Sequence, residues 1–317
     1  MKKRLLTLAL IIGAAGCLTG CSRYNQKEIQ LRDQGVAAME EGNYEEAVSL
    51  FDKALGCSIG KVTDLELDID YYKAAAQFKN NQFEDAASTY TYLIKYDDKN
   101  YKPYFLRGSI YAGEGEIGQA IKDYDAAVAI DEKNYLLYIE IYDNLNALGY
   151  TDQGLVYLNN ALEVSDKSAE SKYFKGRIYY ILGQSDEAEK LLKEANEKGV
   201  IDAKLYLAKI YQDNSDYVSA QALLEEYAAS EEVTSEALGT LGDIELTYGN
   251  YENALNYYEA GLSLDSIDNM SQLMKGKVAA LEKLNRYSEA KEVLAQYIEK
   301  YPNDEEAQKE QIFLQSR

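Results

Sequence analysis

The stretch Gly42-Asn43-Tyr44-Glu45-Glu46-Ala47 decides the fold, because it returns as Gly249-Asn250-Tyr251-Glu252-Asn253-Ala254 and as Asn285-Arg286-Tyr287-Ser288-Glu289-Ala290. Looser copies run from Asn81 to Ala86, Gly115 to Ala120, Gly183 to Ala188 and Ser215 to Ala220. Neighbouring copies lie about 34 residues apart. A fixed period of this length marks a chain made of repeated supersecondary units, each too small to bury its own apolar face. If the phrase begins at position 15 of each unit, the units start at Glu28, Leu67, Tyr101, Tyr135, Ala169, Ile201, Ser235 and Ser271.

Position 20 then holds Ala47, Ala86, Ala120, Gly154, Ala188, Ala220, Ala254 and Ala290. A small residue at every one of these places implies two helices approaching so closely that nothing beyond a methyl fits. Position 8 is small in six units, as Gly35, Ala74, Gly108, Gly176, Ala208 and Gly242, whereas position 24 is always large, from Phe51 in the first to Leu294 in the last. Such alternation lets side chains of one helix fill gaps left by another. In the first unit Tyr44, Ala47, Val48, Phe51, Ala54 and Leu55 follow the spacing of one apolar helical stripe.

Period and small-residue positions together resemble the tetratricopeptide repeat. The resemblance implies an all-α fold, a right-handed α-α superhelix of about eight helical hairpins over residues 28–304, with a capping helix over 305–317. The chain departs from the family pattern in places. It has no tryptophan, and Tyr104 and Tyr138 take that place in two units. Tyr142 and Val278 replace the small residue at position 8, Leu93, Tyr227 and Tyr297 enlarge position 27, and Pro302 is the one proline at position 32. Packing in those units must adjust locally.

Composition agrees with helices. The chain of 317 residues is 46% hydrophobic and contains two prolines, Pro103 and Pro302, so long helices are unhindered. No Pro-rich or Ser-rich linker follows Glu28, which favours one continuous superhelix over jointed domains. The formal net charge of −21 argues against nucleic acid and steers basic partners in. Most of the carboxylates are expected on solvated helix faces.

The N-terminus reads as an address. Lys2, Lys3 and Arg4 precede an apolar run from Leu5 to Ala15, the pattern of a secretory signal peptide over residues 1–20 and too short to span a bilayer. The run ends in Leu18-Thr19-Gly20-Cys21, which resembles the lipobox of bacterial lipoproteins. That resemblance implies lipidation of Cys21 after cleavage before it, with residues 21–27 as a short tether. The protein is then extracytoplasmic, on the outer face of the cytoplasmic membrane or on an outer membrane where the cell has two. Cys57 remains as a lone thiol, so no internal disulfide is available.

Catalytic chemistry finds little to work with. Histidine is absent, which removes the usual general base and the commonest zinc ligand. No Gly-rich phosphate loop appears, and no cofactor or metal is expected. Asp64, Glu66, Asp68 and Asp70 alternate as in a calcium loop, yet the mid-loop glycine is missing and Ala75 stands where the twelfth-position glutamate belongs, so a solvated helix start is expected instead.

Thirty tyrosines are the conspicuous excess. Tyr111, Tyr179 and Tyr211 at position 11, and Tyr44, Tyr217, Tyr251 and Tyr287 at position 17, are expected in the core. The family resemblance implies a ligand groove lined by positions 2, 5, 9, 12 and 13 of the first helices, here Tyr71, Phe78, Phe105, Ile139, Asp143, Tyr173, Arg177, Tyr180 and Lys209. The Lys and Asn clamp with which some relatives grip a C-terminal carboxylate does not appear. The expected function is a non-catalytic, membrane-anchored adaptor that binds a protein or peptide segment, basic in charge, in the bacterial cell envelope. The alternative is a glycan-binding module associated with the cell wall through exposed tyrosines, and the remote one an enzyme built on paired carboxylates.

Overall fold

The computed structural model describes residues 26–58, 62–229, 233–267 and 269–315, so the lipobox and Cys21 lie outside the described residues. Within these segments the chain forms seventeen α-helices and no strand. They gather into two compact units that divide between Asp166 and Lys167.

The first unit holds four hairpins, formed by α1 (Gln26–Glu40) with α2 (Tyr44–Leu55), α3 (Asp64–Lys79) with α4 (Phe83–Tyr96), α5 (Tyr101–Gly113) with α6 (Ile117–Ile130), and α7 (Tyr135–Ala147) with α8 (Thr151–Glu163). The second holds α9 (Ala169–Ile181) with α10 (Ser185–Asn196), α11 (Ala203–Asp213) with α12 (Tyr217–Ala228), α13 (Ser235–Thr247) with α14 (Tyr251–Leu262), and α15 (Met270–Lys283) with α16 (Tyr287–Lys300). A last helix, α17 (Glu305–Gln315), packs against α16.

The recurring phrase is a turn signal. Its first residue, from Gly42 through Ser215 to Asn285, has φ between 60° and 87° in all eight hairpins. That left-handed conformation ends the first helix and lets the next amide reach back, as Asn43 N donates to Ala38 O at 2.8 Å and Asp216 N to Tyr211 O at 2.8 Å. Glycine dominates here because a Cβ is strained at positive φ, and asparagine follows because its short polar side chain can hydrogen-bond locally in that region.

Packing follows the small and large positions. The eight small residues at position 20 and the eight large ones at position 24 are all buried. A Cβ built on Gly35 would lie 2.5 Å from the Phe51 ring, on Gly108 2.9 Å from Tyr124, and on Gly176 2.7 Å from Leu192. The fourth hairpin reverses the arrangement. Tyr142 is the large residue on the first helix, and Gly154 on the second makes room, with a Cβ there meeting the Tyr142 ring at 3.1 Å and its backbone oxygen at 3.2 Å.

Each core is a run of local clusters rather than one centre. Ala38, Ala47 and Phe51 of the first hairpin meet Leu65, Ile69 and Ala76 of α3, and Tyr258 and Leu255 of α14 meet Leu273, Met274 and Val278 of α15. No hairpin closes its own stripe, which is why the array must continue or be capped. In the second unit α17 does the capping, with Ala307 and Leu314 buried in the last cluster.

Tyrosine hydroxyls are tied down by acids. Tyr157 donates to Asp125 at 2.8 Å, Tyr227 to Asp202 at 2.7 Å, Tyr258 to Asp243 at 2.6 Å and Tyr297 to Asp304 at 2.7 Å. The excess of tyrosine and the excess of acid are thus partly one feature: an aromatic body fills the core while a carboxylate at its rim accepts the hydroxyl. Tyr217, expected in the core, is instead about half exposed as the first residue of α12.

Candidate functional site

The nine groove positions do not form one surface. In the first unit Tyr71, Phe78 and Phe105 are half-buried and spend their rings on the second helices of hairpins: Tyr71 against Tyr90, Phe78 against Phe83 and Phe105 against Tyr124. The Tyr71 hydroxyl accepts from Asn100 Nδ2 at 3.1 Å, and burial pushes its pKa up to about 12. Ile139 is 2% exposed and belongs to the core of α7, not to a groove. A branched aliphatic side chain flanked by Tyr138 and Ile141 is drawn inward by the apolar area it removes from water. Asp143 alone of the five is exposed.

The second unit brings its four groove residues together. The Arg177 guanidinium lies 5.1 Å from the Tyr206 ring centroid, 5.9 Å from Phe174 and 6.0 Å from Tyr173. Each distance is within cation–π range. Tyr206 stands edge-on to both Tyr173 and Tyr180, with centroids 6.0 Å apart in each case, and Lys209 Nζ sits 4.9 Å over the Tyr180 ring. The Tyr180 hydroxyl donates to Asp213 Oδ2 at 2.7 Å, and Tyr248 donates to the other oxygen of the same carboxylate. A cationic and aromatic patch therefore runs from α9 across α11 to α13.

The elements explain the placement. Residues 173, 177 and 180 fall on one face of α9 at spacings of four and three, and residues 206, 209 and 213 repeat that face on α11. Arg177 is half-buried, and its buried Nε has no acceptor in the protein. Tyr173 itself is 8% exposed, and burial, partly offset by Arg177, pushes its hydroxyl up to about 12. It supports the patch from beneath instead of lining it. Burial and the bond to Asp213 raise the Tyr180 pKa as well, so both phenols stay neutral donors at physiological pH.

Tyr206, Phe174, Asp213 and Tyr248 were not among the sequence-derived groove residues. Asp213 occupies position 13 and was findable from the same positional rule. Tyr206 and Phe174 sit at position 6, beside the groove register, and no spacing signal marks them. The acidic alternation also reads differently in place. Glu66 closes a capping box with Thr63, and Glu66 and Asp70 are buried while Asp64 is exposed and Asp68 half-buried, so this helix start is only partly solvated. Burial, opposed by Lys73 and reinforced by Asp52 and Glu66, lifts the Asp70 carboxyl to about 6. Among the described residues no group of His, Cys, Asp or Glu is arranged to hold a metal ion.

Fold and patch together define an all-α protein of repeated helical hairpins. Models described as tetratricopeptide repeat match residues 71–135 and 205–269, 169–197, and 245–312, more than half of the chain between them. The chain belongs to the tetratricopeptide-repeat family. It is 27% identical over 184 residues to a TPR repeat-containing protein of Methanocaldococcus jannaschii, covering 58% of this chain and 27% of that one. It is 25% identical over 239 residues to DnaJ homolog subfamily C member 7 of Mus musculus, covering 75% of this chain and 42% of that one. The chain thus spans less than half the length of either curated relative. Among solved structures, a tetratricopeptide repeat protein from Parabacteroides merdae aligns with a TM-score of 0.47 at 17% identity, covering 81% of this chain and all of that one.

Proposed function

We propose that this protein is a non-catalytic scaffold, tethered by lipid at Cys21 to the outer face of a bacterial membrane, that holds a protein or peptide segment on the patch of α9, α11 and α13. The observation that carries the reading is Arg177, whose guanidinium is held within about 6 Å of three aromatic rings. Aromatic surface beside a pre-positioned cation is an economical anchor, because both are already ordered before a ligand arrives. Tetratricopeptide folds bind protein or peptide partners, and the chain's lack of histidine and of a phosphate loop supports a binding role over a catalytic one.

Anchoring rests on Leu18 to Cys21 and on the charged and apolar segment before them. Among the described residues no helix is long and apolar enough to cross a membrane. A lipid on Cys21 would supply the attachment instead. The glycan alternative is less well supported, since stacking on a sugar needs an open ring face and Tyr173 offers little.

The test is affinity capture from membranes with the full-length lipidated protein. Protein partners are expected to be recovered with the native chain, and fewer with Cys21→Ala or Arg177→Ala. Equal recovery with all three chains contradicts the proposal.

A further inference from the structure

A second site lies on the same unit, apart from the patch. A cleft of about 600 Å³ is lined by Gln212 of α11, Tyr217, Val218, Gln221 and Glu225 of α12, Glu245 of α13, and Asn250 and Asn253 at the start of α14. Glu245 is fully buried and Gln212 is 3% exposed, yet Glu245 Oε1 and Gln212 Oε1 receive no hydrogen bond from the protein. The second Glu245 oxygen accepts from Asn253 Nδ2 at 3.4 Å, an amide shared with Gln221 Oε1 at 3.2 Å. Gln221 in turn donates to Glu225 Oε1 at 3.0 Å. Two deep acceptors, one on Glu245 and one on Gln212, stand open.

Position 11 of the repeat makes the anomaly sharper. Ala38, Leu145 and Leu281 fill it with apolar groups, Tyr111, Tyr179 and Tyr211 with phenols, and the one other polar residue, Gln77, accepts a hydroxyl from Thr89 at 2.8 Å. Glu245 alone places a carboxylate there with an oxygen unused. A buried acceptor without a donor forfeits free energy that a ligand bringing donors would return.

We propose that this cleft receives the cationic side chain of a partner protein, a lysine ammonium or an arginine guanidinium. Either brings several N–H donors to the two open oxygens and a positive charge to Glu245. The exposed Tyr217 and Val218 at the rim, 52% and 83% accessible, would pack along its methylene stem. The chain's charge of −21 favours approach of basic partners. Burial raises the Glu245 pKa against the opposing amides of Asn250 and Asn253, and an entering cation would lower it again. The inference does not rest on the patch around Arg177.

The test titrates the full-length protein, labelled with ¹³C at valine and alanine methyls, with N-acetyl-lysine amide, N-acetyl-arginine amide and the uncharged N-acetyl-norleucine amide. The Val218 and Ala222 signals are expected to shift with a cationic amide, saturating at about 1–10 mM, and not with norleucine amide. The tighter of the two cations identifies the side chain. Glu245→Gln should weaken that binding roughly tenfold or more. Gln212→Leu, which leaves the carboxylate in place, should also weaken it, and Arg177→Ala should not. Equal response to norleucine amide, undiminished binding by both cleft variants, a response to calcium chloride but to neither cation, or no shift at all overturns the proposal.

Discussion

A Cβ on Gly242 would lie 2.5 Å from the Tyr258 ring, which makes the glycine and the tyrosine a matched pair across the seventh hairpin. The ring cannot swing aside. Its hydroxyl is bonded to Asp243 Oδ1 at 2.6 Å, and Gly276 of the next hairpin also approaches the ring at Cε1 and Cζ. Hairpin two carries Ala74 and the buried Tyr90 at the corresponding positions, so a methyl is accommodated in that hairpin. Gly242→Ala is therefore expected to lose about 1–3 kcal/mol by overpacking, reduced by up to about 1 kcal/mol of helix propensity. Urea unfolding measures it, and Tyr258→Leu in the same chain should recover most of the loss.

Ser215 is the turn residue that fits its backbone least well. It holds φ 63° where five other hairpins use glycine and two use asparagine. Ser215→Gly should raise stability by about 0.5–1 kcal/mol, since glycine meets no Cβ penalty there. A lowered urea midpoint would contradict this account of the turn.

Arg107 grips Asp123 with two bonds of 2.7 Å and Thr91 with a third of 2.7 Å, and the Asp123 side chain is almost wholly buried. Arg107→Met alone would leave a buried carboxylate uncompensated and is expected to destabilise the first unit by about 3 kcal/mol. Arg107→Met with Asp123→Leu removes both charges. The double variant should be far closer to the native chain, which a double-mutant cycle in urea reads directly.

Glu282 of α15 faces Glu310 of the capping helix. Burial first, then the second carboxylate, raises the Glu282 pKa from 4.5 to about 7, with Lys283 opposing. The folded chain thus holds a proton that the unfolded chain releases near 4.5. This contribution to stability is complete below that pH and is lost as the pH rises through about 7. The urea midpoint of the native chain relative to Glu310→Gln should fall between about pH 5 and about pH 8. A difference that stays flat across that range contradicts the pairing.

The hairpins were legible in the sequence because their packing rule is local and repeated. The small residues at position 20 and the glycines and asparagines at position 15 each answer a steric demand that recurs in every hairpin, so eight copies reinforce one reading. Tyr142 announced a departure, and Gly154 twelve residues later supplies the compensating space. The site was less legible because a groove position says where a side chain starts and not what it touches. Ile139 and Tyr173 turned inward for apolar contact, and Tyr206 entered the patch from a position outside the groove register. Glu245 carried a signal of its own, an acid at a packing position, which composition alone conceals among fifty-four carboxylates.

The central claim, that the patch around Arg177 holds a protein segment at the membrane, is tested most directly by site-specific photo-crosslinking in cells. A photo-reactive amino acid replaces Tyr180 in the lipidated chain, and the same group replaces the exposed Val156 of α8 as control. The account predicts a discrete protein adduct from position 180, lost with Arg177→Ala and absent from position 156. No adduct at position 180, or the same adducts at both positions, would contradict it.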